Sequence, residues 1–208
     1  MLGLPVSTEV KKSLPKEHLY RQFDWKASQR ESFDGDVSRL NFVNWISPRS
    51  LPALTVGAEI KEIMVVEVTL KHRDFDVRNI ELLAKSIPQR IVYVLRDGEK
   101  VRIAVYHTKL FMTDWQFLTP DSSFLILQGL NLDAVWENIV TKIGNFEIEG
   151  QITLTEQIVS NEERDKLERK IRMLESKISS TRQPRRKREL YLELQKLKHK
   201  THHDSKRN

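Results

Sequence analysis

The chain has 208 residues, 39% hydrophobic and 31% charged, with a net charge of +6 and no cysteine. The lack of cysteine excludes disulfides, a zinc–thiolate site and a cysteine nucleophile, and it fits a reducing, cytoplasmic setting. No apolar run reaches the roughly 20 residues that span a bilayer, and the opening MLGLPVSTEVKK lacks the layout of a secretory leader.

The size suits one domain plus an appendage. The charge is uneven. Residues 161–208 hold 16 Lys and Arg against 8 Asp and Glu, whereas the first 160 hold 19 against 21. The positive charge belongs to the tail, and a basic tail points to anionic partners.

Residues 1–23 read as a loop with short helices. Ser7 or Thr8 could cap one, Pro15 could open the next, and Leu14, Leu19, Tyr20 and Phe23 could pack it. In 26–36, Ser28 and Glu31 have capping-box spacing, but Gly35 predicts an early end. Residues 38–46 alternate like a strand, which Ser47-Pro48 and Leu51-Pro52 break. The next strand starts near Ile60 and carries IMVVEVTLK. Its Glu67, Thr69 and Lys71 share one face, and Val66, Val68 and Leu70 the other.

Val77, Ile80, Leu83, Ala84 and Ile87 then follow helical spacing, and Pro88 ends that run. Strands 90–96 and 101–107 are joined at Asp97-Gly98, a pair suited to a hairpin turn with positive φ at both central residues. A short strand is predicted over 112–118. Asn131 or Asp133 could cap a helix through Ile143, with Gly144 just past its end. Residues 145–160 read as a connector, with room for a short strand at 146–153.

From Asn161 the pattern changes. Leu167, Ile171, Leu174 and Ile178 have the a/d spacing of a coiled coil, and Leu190, Leu194 and Leu197 form a second stripe beyond Pro184. These seven residues predict a seam, closed either within a helical hairpin or against a second copy or partner. The whole reads as an α/β (α+β) fold: a small mixed sheet with flanking helices, then a basic helical hairpin or coiled-coil tail. The expected parts are a globular domain over 1–150, a connector over 151–160, a tail over 161–200 and a disordered end over 201–208.

The segments MLGLPVSTEVKKSLPKE, EIMVVEVTLK, SIPQRIVYVL, LNLDAVWENIV and RKRELYLELQKLK, in this order, resemble a bacterial family numbered 4391 among domains of unknown function. The resemblance covers nearly the whole chain. It implies an accessory protein encoded beside helicases and DNA methyltransferases in restriction-like or phage-defence clusters. It implies no catalytic residues.

The basic break holds Arg182, Arg185, Arg186, Lys187 and Arg188 within seven residues. Arginine forks suit phosphates, so sequence-independent DNA backbone contact is one reading. A solvated turn or an acidic protein partner is the other. The second candidate is the polar face of the central strand. Glu67 and Lys71, with Glu59 or Glu62 upstream, loosely resemble the acid–lysine pair with which restriction-type nucleases hold Mg²⁺ and steady a water. Thr69 stands where the acid would be, so an exposed Glu–Lys ladder is the plainer account. His199, His202 and His203 could ligate a metal, but Lys200 and Lys206 beside them oppose it. His72 and His107 read as strand-end surface residues, and the four tryptophans as core or interface anchors. No glycine-rich phosphate loop or serine nucleophile elbow occurs. These readings leave three functions: a non-enzymatic accessory subunit without cofactor or metal, docking a helicase or methyltransferase and contacting DNA through its tail; a divergent metal-dependent nuclease; or a pure protein–protein adaptor.

Overall fold

A computed structural model describes residues 2–119 and 124–204, with side chains through Lys198. The chain forms two units, one up to Glu147 and one from Ile148 onward.

The first unit is built on a seven-stranded mixed sheet. Its order, β1–β2–β3–β4–β5–β6, follows the chain, and β7 also pairs with β5. At its centre lies β3 (Ile63–Leu70), antiparallel to β2 (Val37–Ile46) and parallel to β4 (Arg90–Asp97). Parallel strands need a crossover, which α3 (Val77–Ser86) provides. Asp76 caps α3 by accepting the backbone N–H of Arg78. β3 is apolar on both sides because both are covered: among its eight residues only Glu67 and Thr69 escape full burial.

On one face, Met64, Val66, Val68, Tyr93 and Leu95 pack with Trp25, with Phe33 of α2 (Ala27–Asp36) and with Ile80 and Leu83 of α3. The alternate set, including Ile63, Val65, Val92, Ile103 and Val105, is buried as well. α4 (Leu132–Gly144) lies against β5 (Lys100–Tyr106) and β6 (Leu110–Met112) with Val135, Trp136, Ile139 and Val140 inward. Of the four tryptophans, Trp25 and Trp136 are buried and Trp45 and Trp115 half-buried.

Several expectations need correction. Residues 1–23 contain a strand, β1 (Glu9–Ser13), between a 3-10 turn at Val6–Thr8 and α1 (Lys16–Gln22). β1 is an edge strand with four of its five residues exposed, so it shows no apolar alternation to read. α2 runs through Gly35 to Asp36. It starts at Ala27, with the Gln29 side chain accepting the Lys26 N–H, and does not use the Ser28–Glu31 pair. β3 begins at Ile63 rather than near Ile60, because Asp133 holds the preceding loop (below). Asp97 pairs with Lys100, so the hairpin loop is Gly98–Glu99. Only Gly98 has positive φ there (60°), the glycine-first layout of a type II′ turn.

The strand expected over 112–118 is split: β6 ends at Met112, and β7 (Gln116–Phe117) pairs further along β5. Gly144 is the last residue of α4, and the left-handed position past the end belongs to Asn145 (φ 53°). Glycine at 144 is explained by packing, since a Cβ there would meet the rings of Phe146 and Phe111. Asn131, not Asp133, caps α4.

The second unit is a helical hairpin of α5 (Leu154–Ser180) and α6 (Pro184–Asp204). Residues 154–160, expected as connector, are the first turns of α5, and 146–153 form no strand. The helix starts early because Thr153 and Glu156 make a reciprocal cap: Thr153 accepts the Glu156 N–H, and Glu156 accepts the Thr153 N–H. Those bonds hold the Glu156 carboxyl below its usual range. Pro184 opens α6, where no N–H is missed.

The seam closes within the chain. Leu174, Ile178, Leu190 and Leu194 are buried together, and Ile171 and Leu197 pack against them; Leu167 is half-buried further along the same stripe. Lys170–Glu193 and Lys198–Glu175 bridge the two helices at 3.6 and 2.8 Å. α6 continues through Asp204. The remainder of the expected disordered end, 205–208, and the side chains of His199, His202 and His203 lie outside the described residues.

Candidate nucleic-acid interface

α5 ends at Ser180, where the Thr181 N–H and hydroxyl both donate to the Lys177 carbonyl. Arg182 and Gln183 make the turn. The first turn of α6 then carries Arg185, Arg186 and Lys187 and no acid. From Ser176 to Arg188 the chain holds six cations and no carboxylate.

This placement opposes helix electrostatics. A helix N-terminus carries partial positive charge, so each cation there costs about 0.3–1 kcal/mol when exposed. Glu189 offers partial relief, reaching Arg186 at 3.0 Å and Arg185 at 3.8 Å. Arg182, Lys187 and Arg188 are exposed and make no ion pair among the described residues. A bound polyanion would remove the repulsion that the fold leaves uncompensated. The structure thus gathers all five residues of the basic break at the closed end of the hairpin.

The central-strand candidate has different surroundings. Glu67 stands between Asn41 of β2 and Val94 of β4, and Thr69 between Arg39 and Arg96. The Glu67 carboxylate accepts from Arg96 Nη1 at 3.3 Å. A hard cation needs several oxygens, and these rows offer guanidinium and amide neighbours instead. Glu67 also lines a pocket of about 190 Å³ with Leu2, Leu4, Val10, Val43 and Val94, a mostly apolar wall.

Lys71 lies one residue beyond β3, and its N–H donates to the Asp36 carbonyl. The sequence places Lys71 on the strand face, but β3 stops at Leu70 because its partner β2 begins at Val37. Glu62 accepts the Trp45 indole N–H at 2.9 Å. Glu59 belongs to a loop whose N–H groups at Ala58, Glu59 and Ile60 converge on Asp133, at 2.6, 3.3 and 2.8 Å. Gly57 in that loop has no room for a Cβ, which would fall 2.1 Å from Asp133 Oδ1. Among the described residues, no three His, Asp or Glu side chains are placed to hold a metal ion.

His72 is exposed just past the end of β3, as its surface reading expects, and His107 departs from that reading. His107 is half-buried, and its Nδ1 accepts the Trp136 indole N–H at 3.2 Å. Burial, helped by Arg90, lowers its pKa. His72 Nε2 lies 3.3 Å from Asp36.

Asp36 is the polar centre that sequence reasoning missed. It is buried at the end of α2 and accepts from the Asp76 N–H at 2.8 Å and the Asn79 amide at 2.6 Å. It therefore ties α2 to the entrance of α3. Nearby, Asp34 accepts from Lys16 and the Tyr20 hydroxyl. Burial raises the Asp34 pKa, but those two bonds outweigh it and the net shift is downward. No local motif announces either residue, because their partners lie far away in the chain.

No curated protein and no solved structure matches the chain. The family model described as "Domain of unknown function (DUF4391)" matches residues 2–200, and the chain belongs to that family.

Proposed function

We propose that this protein is a non-enzymatic accessory subunit of a bacterial restriction-like or phage-defence system. In this reading the sheet unit docks a helicase or DNA methyltransferase, and the helical hairpin contributes sequence-independent contact with the DNA backbone. The supporting observation is the hairpin end, where six cations face solvent beside a helix N-terminus with a single carboxylate, Glu189, to meet them. Guanidinium groups in such a cluster fit phosphate oxygens. No base-reading element accompanies them, so the contact is positional rather than specific.

The test is a full-length variant with Arg182, Arg185, Arg186, Lys187 and Arg188 replaced by serine, titrated with duplex DNA across a salt series. Removing five phosphate contacts should flatten the dependence of log K on log salt by about 4–5. Unchanged affinity at low salt would sink the proposal. The adaptor reading keeps one observation of its own. Tyr191 and Leu192 are 48% and 53% exposed on α6, and exposed aromatic and aliphatic side chains suit protein contacts.

A further inference from the structure

The two bridges between α5 and α6 mark the two sides of the hairpin. Lys170 meets Glu193 on one side, and Glu175 meets Lys198 on the other. Residues three, four or seven apart share a helix face. Lys166, Met173 and Lys177 therefore lie on the Lys170 side, with Arg169 next to them toward solvent. On α6, Arg186, Glu189 and Lys196 share that side with Glu193. From Asp165 onward the acids of α5, Asp165, Glu168 and Glu175, lie on the opposite side, together with Arg172, which pairs with Glu168; nearer the start of the helix, Glu162 and Glu163 fall on the Lys170 side.

From Lys166 to Lys177, therefore, the Lys170 side of α5 carries cations and no acid. On the Lys170 side, both carboxylates of α6 are already engaged, Glu193 by Lys170 and Glu189 by Arg185 and Arg186. Lys166, Arg169, Lys177 and Lys196 are exposed and have no ion pair among the described residues. Arg169 spends one donor on the Asp165 carbonyl, and the rest of its guanidinium is uncommitted.

We infer that this side of the hairpin lies along the phosphate backbone of a double-stranded nucleic acid, with the basic turn as one end of the contact. The inference rests on reading that turn as a DNA contact and adds a long face to it. From Lys166 to Lys177 the helix rises about 16 Å. Over that length a duplex presents roughly nine or ten phosphate charges, enough to engage every cation of the row. Single strands are gripped largely by aromatic stacking. This side carries no aromatic residue, since Tyr191 lies seven before Lys198 and so on the other side. A protein partner would seek an apolar centre, and the exposed large apolar residues on this side, Met173 and, toward solvent, Leu192, stand singly among cations.

The experiment uses the full chain with Lys166, Arg169, Lys177 and Lys196 all changed to glutamine, beside the five-serine variant of the turn. Each is titrated with a random-sequence duplex, with poly(dT) and with poly-glutamate across a salt series, and helix content is read by circular dichroism. The expected result is unchanged helix content, tighter binding of duplex than of either other polymer, and a salt slope reduced by about 3–4 in the glutamine variant. Wild-type duplex affinity and slope in the glutamine variant, with loss in the serine variant, overturns the long face and leaves the turn standing. Wild-type behaviour of both variants overturns both readings. Binding of poly(dT) or poly-glutamate as tightly as duplex overturns the choice of occupant. If the fourfold change unfolds the hairpin, Lys166→Gln and Lys177→Gln are tested singly, and each should lower the slope by about 0.9.

Discussion

The two units solve opposite problems. In the sheet unit, polar groups are neutralised where they are buried: Asp36 by Asn79 and a backbone N–H, and Asn44 by the Thr8 hydroxyl. Even half-buried Glu67 has Arg96. The hairpin seam gathers four buried aliphatic side chains and leaves most of the charges around it to solvent. Local charge repulsion is tolerated there because water screens it, at a cost of tenths of a kilocalorie per group. The difference teaches where to look for ligands. A site at the buried polar groups of the sheet unit would have to displace an internal partner, whereas the hairpin presents a cluster of cations already unsatisfied.

The sharpest way to break that contrast is to damage one core and watch the other. Phe33 is fully buried between α2 and the sheet. Phe33→Ala should cost the sheet unit about 3–5 kcal/mol. All four tryptophans lie before Glu147, so their fluorescence reports on this unit alone. The urea midpoint by fluorescence should fall well below wild type. An unmoved midpoint would show that this core does not hold the unit together.

The reciprocal change is smaller. Leu190→Ala removes one of the four buried seam residues and should cost about 2 kcal/mol, at the low end for leucine because the seam is thin. Helical circular dichroism should melt at lower denaturant, while tryptophan fluorescence keeps its wild-type midpoint. Equal shifts in both signals would mean that the two units unfold as one.

The smallest effect concerns protons. His107 accepts the Trp136 indole N–H, and protonation of Nδ1 would end that bond. Its pKa is lowered in the folded chain, so the unfolded chain binds the proton more readily. The stabilisation is complete above the ordinary histidine value of about 6.5 and is lost as pH falls through the lowered folded value. The fluorescence-detected urea midpoint should therefore decline between pH 7.5 and 5, and His107→Gln should flatten that decline. Parallel profiles for the two proteins would remove His107 as the cause.

Much of the fold was legible because it rests on periodicity. β3, α3, β4 and the β4–β5 hairpin stand within a few residues of where apolar spacing, Pro88 and Asp97-Gly98 predict them. β1 was not legible, because an edge strand with one half-buried residue among five has no apolar rhythm. The start of α5 was misread for a related reason. Its first turns are set by the Thr153–Glu156 cap, whereas the expected boundary followed the coiled-coil spacing that begins at Leu167. Of the candidate sites, the basic break could be seen because its residues are adjacent in sequence. The condition of Glu67 could not, because Arg96 joins it only across a parallel strand pair.

By itself, then, the sequence determined the segments: which stretches bury one face or two, where prolines and glycines interrupt them, and where charge accumulates. These follow from local chemistry, written in residues a few positions apart. Tertiary structure alone decided the partners. It turned the leucine stripes inward on each other, gave Glu67 a guanidinium neighbour, closed Asp133 on a loop more than seventy residues away, and matched Lys170 with Glu193 and Glu175 with Lys198 across the hairpin. Long-range pairing depends on how elements pack in three dimensions, and no short window of sequence carries that information.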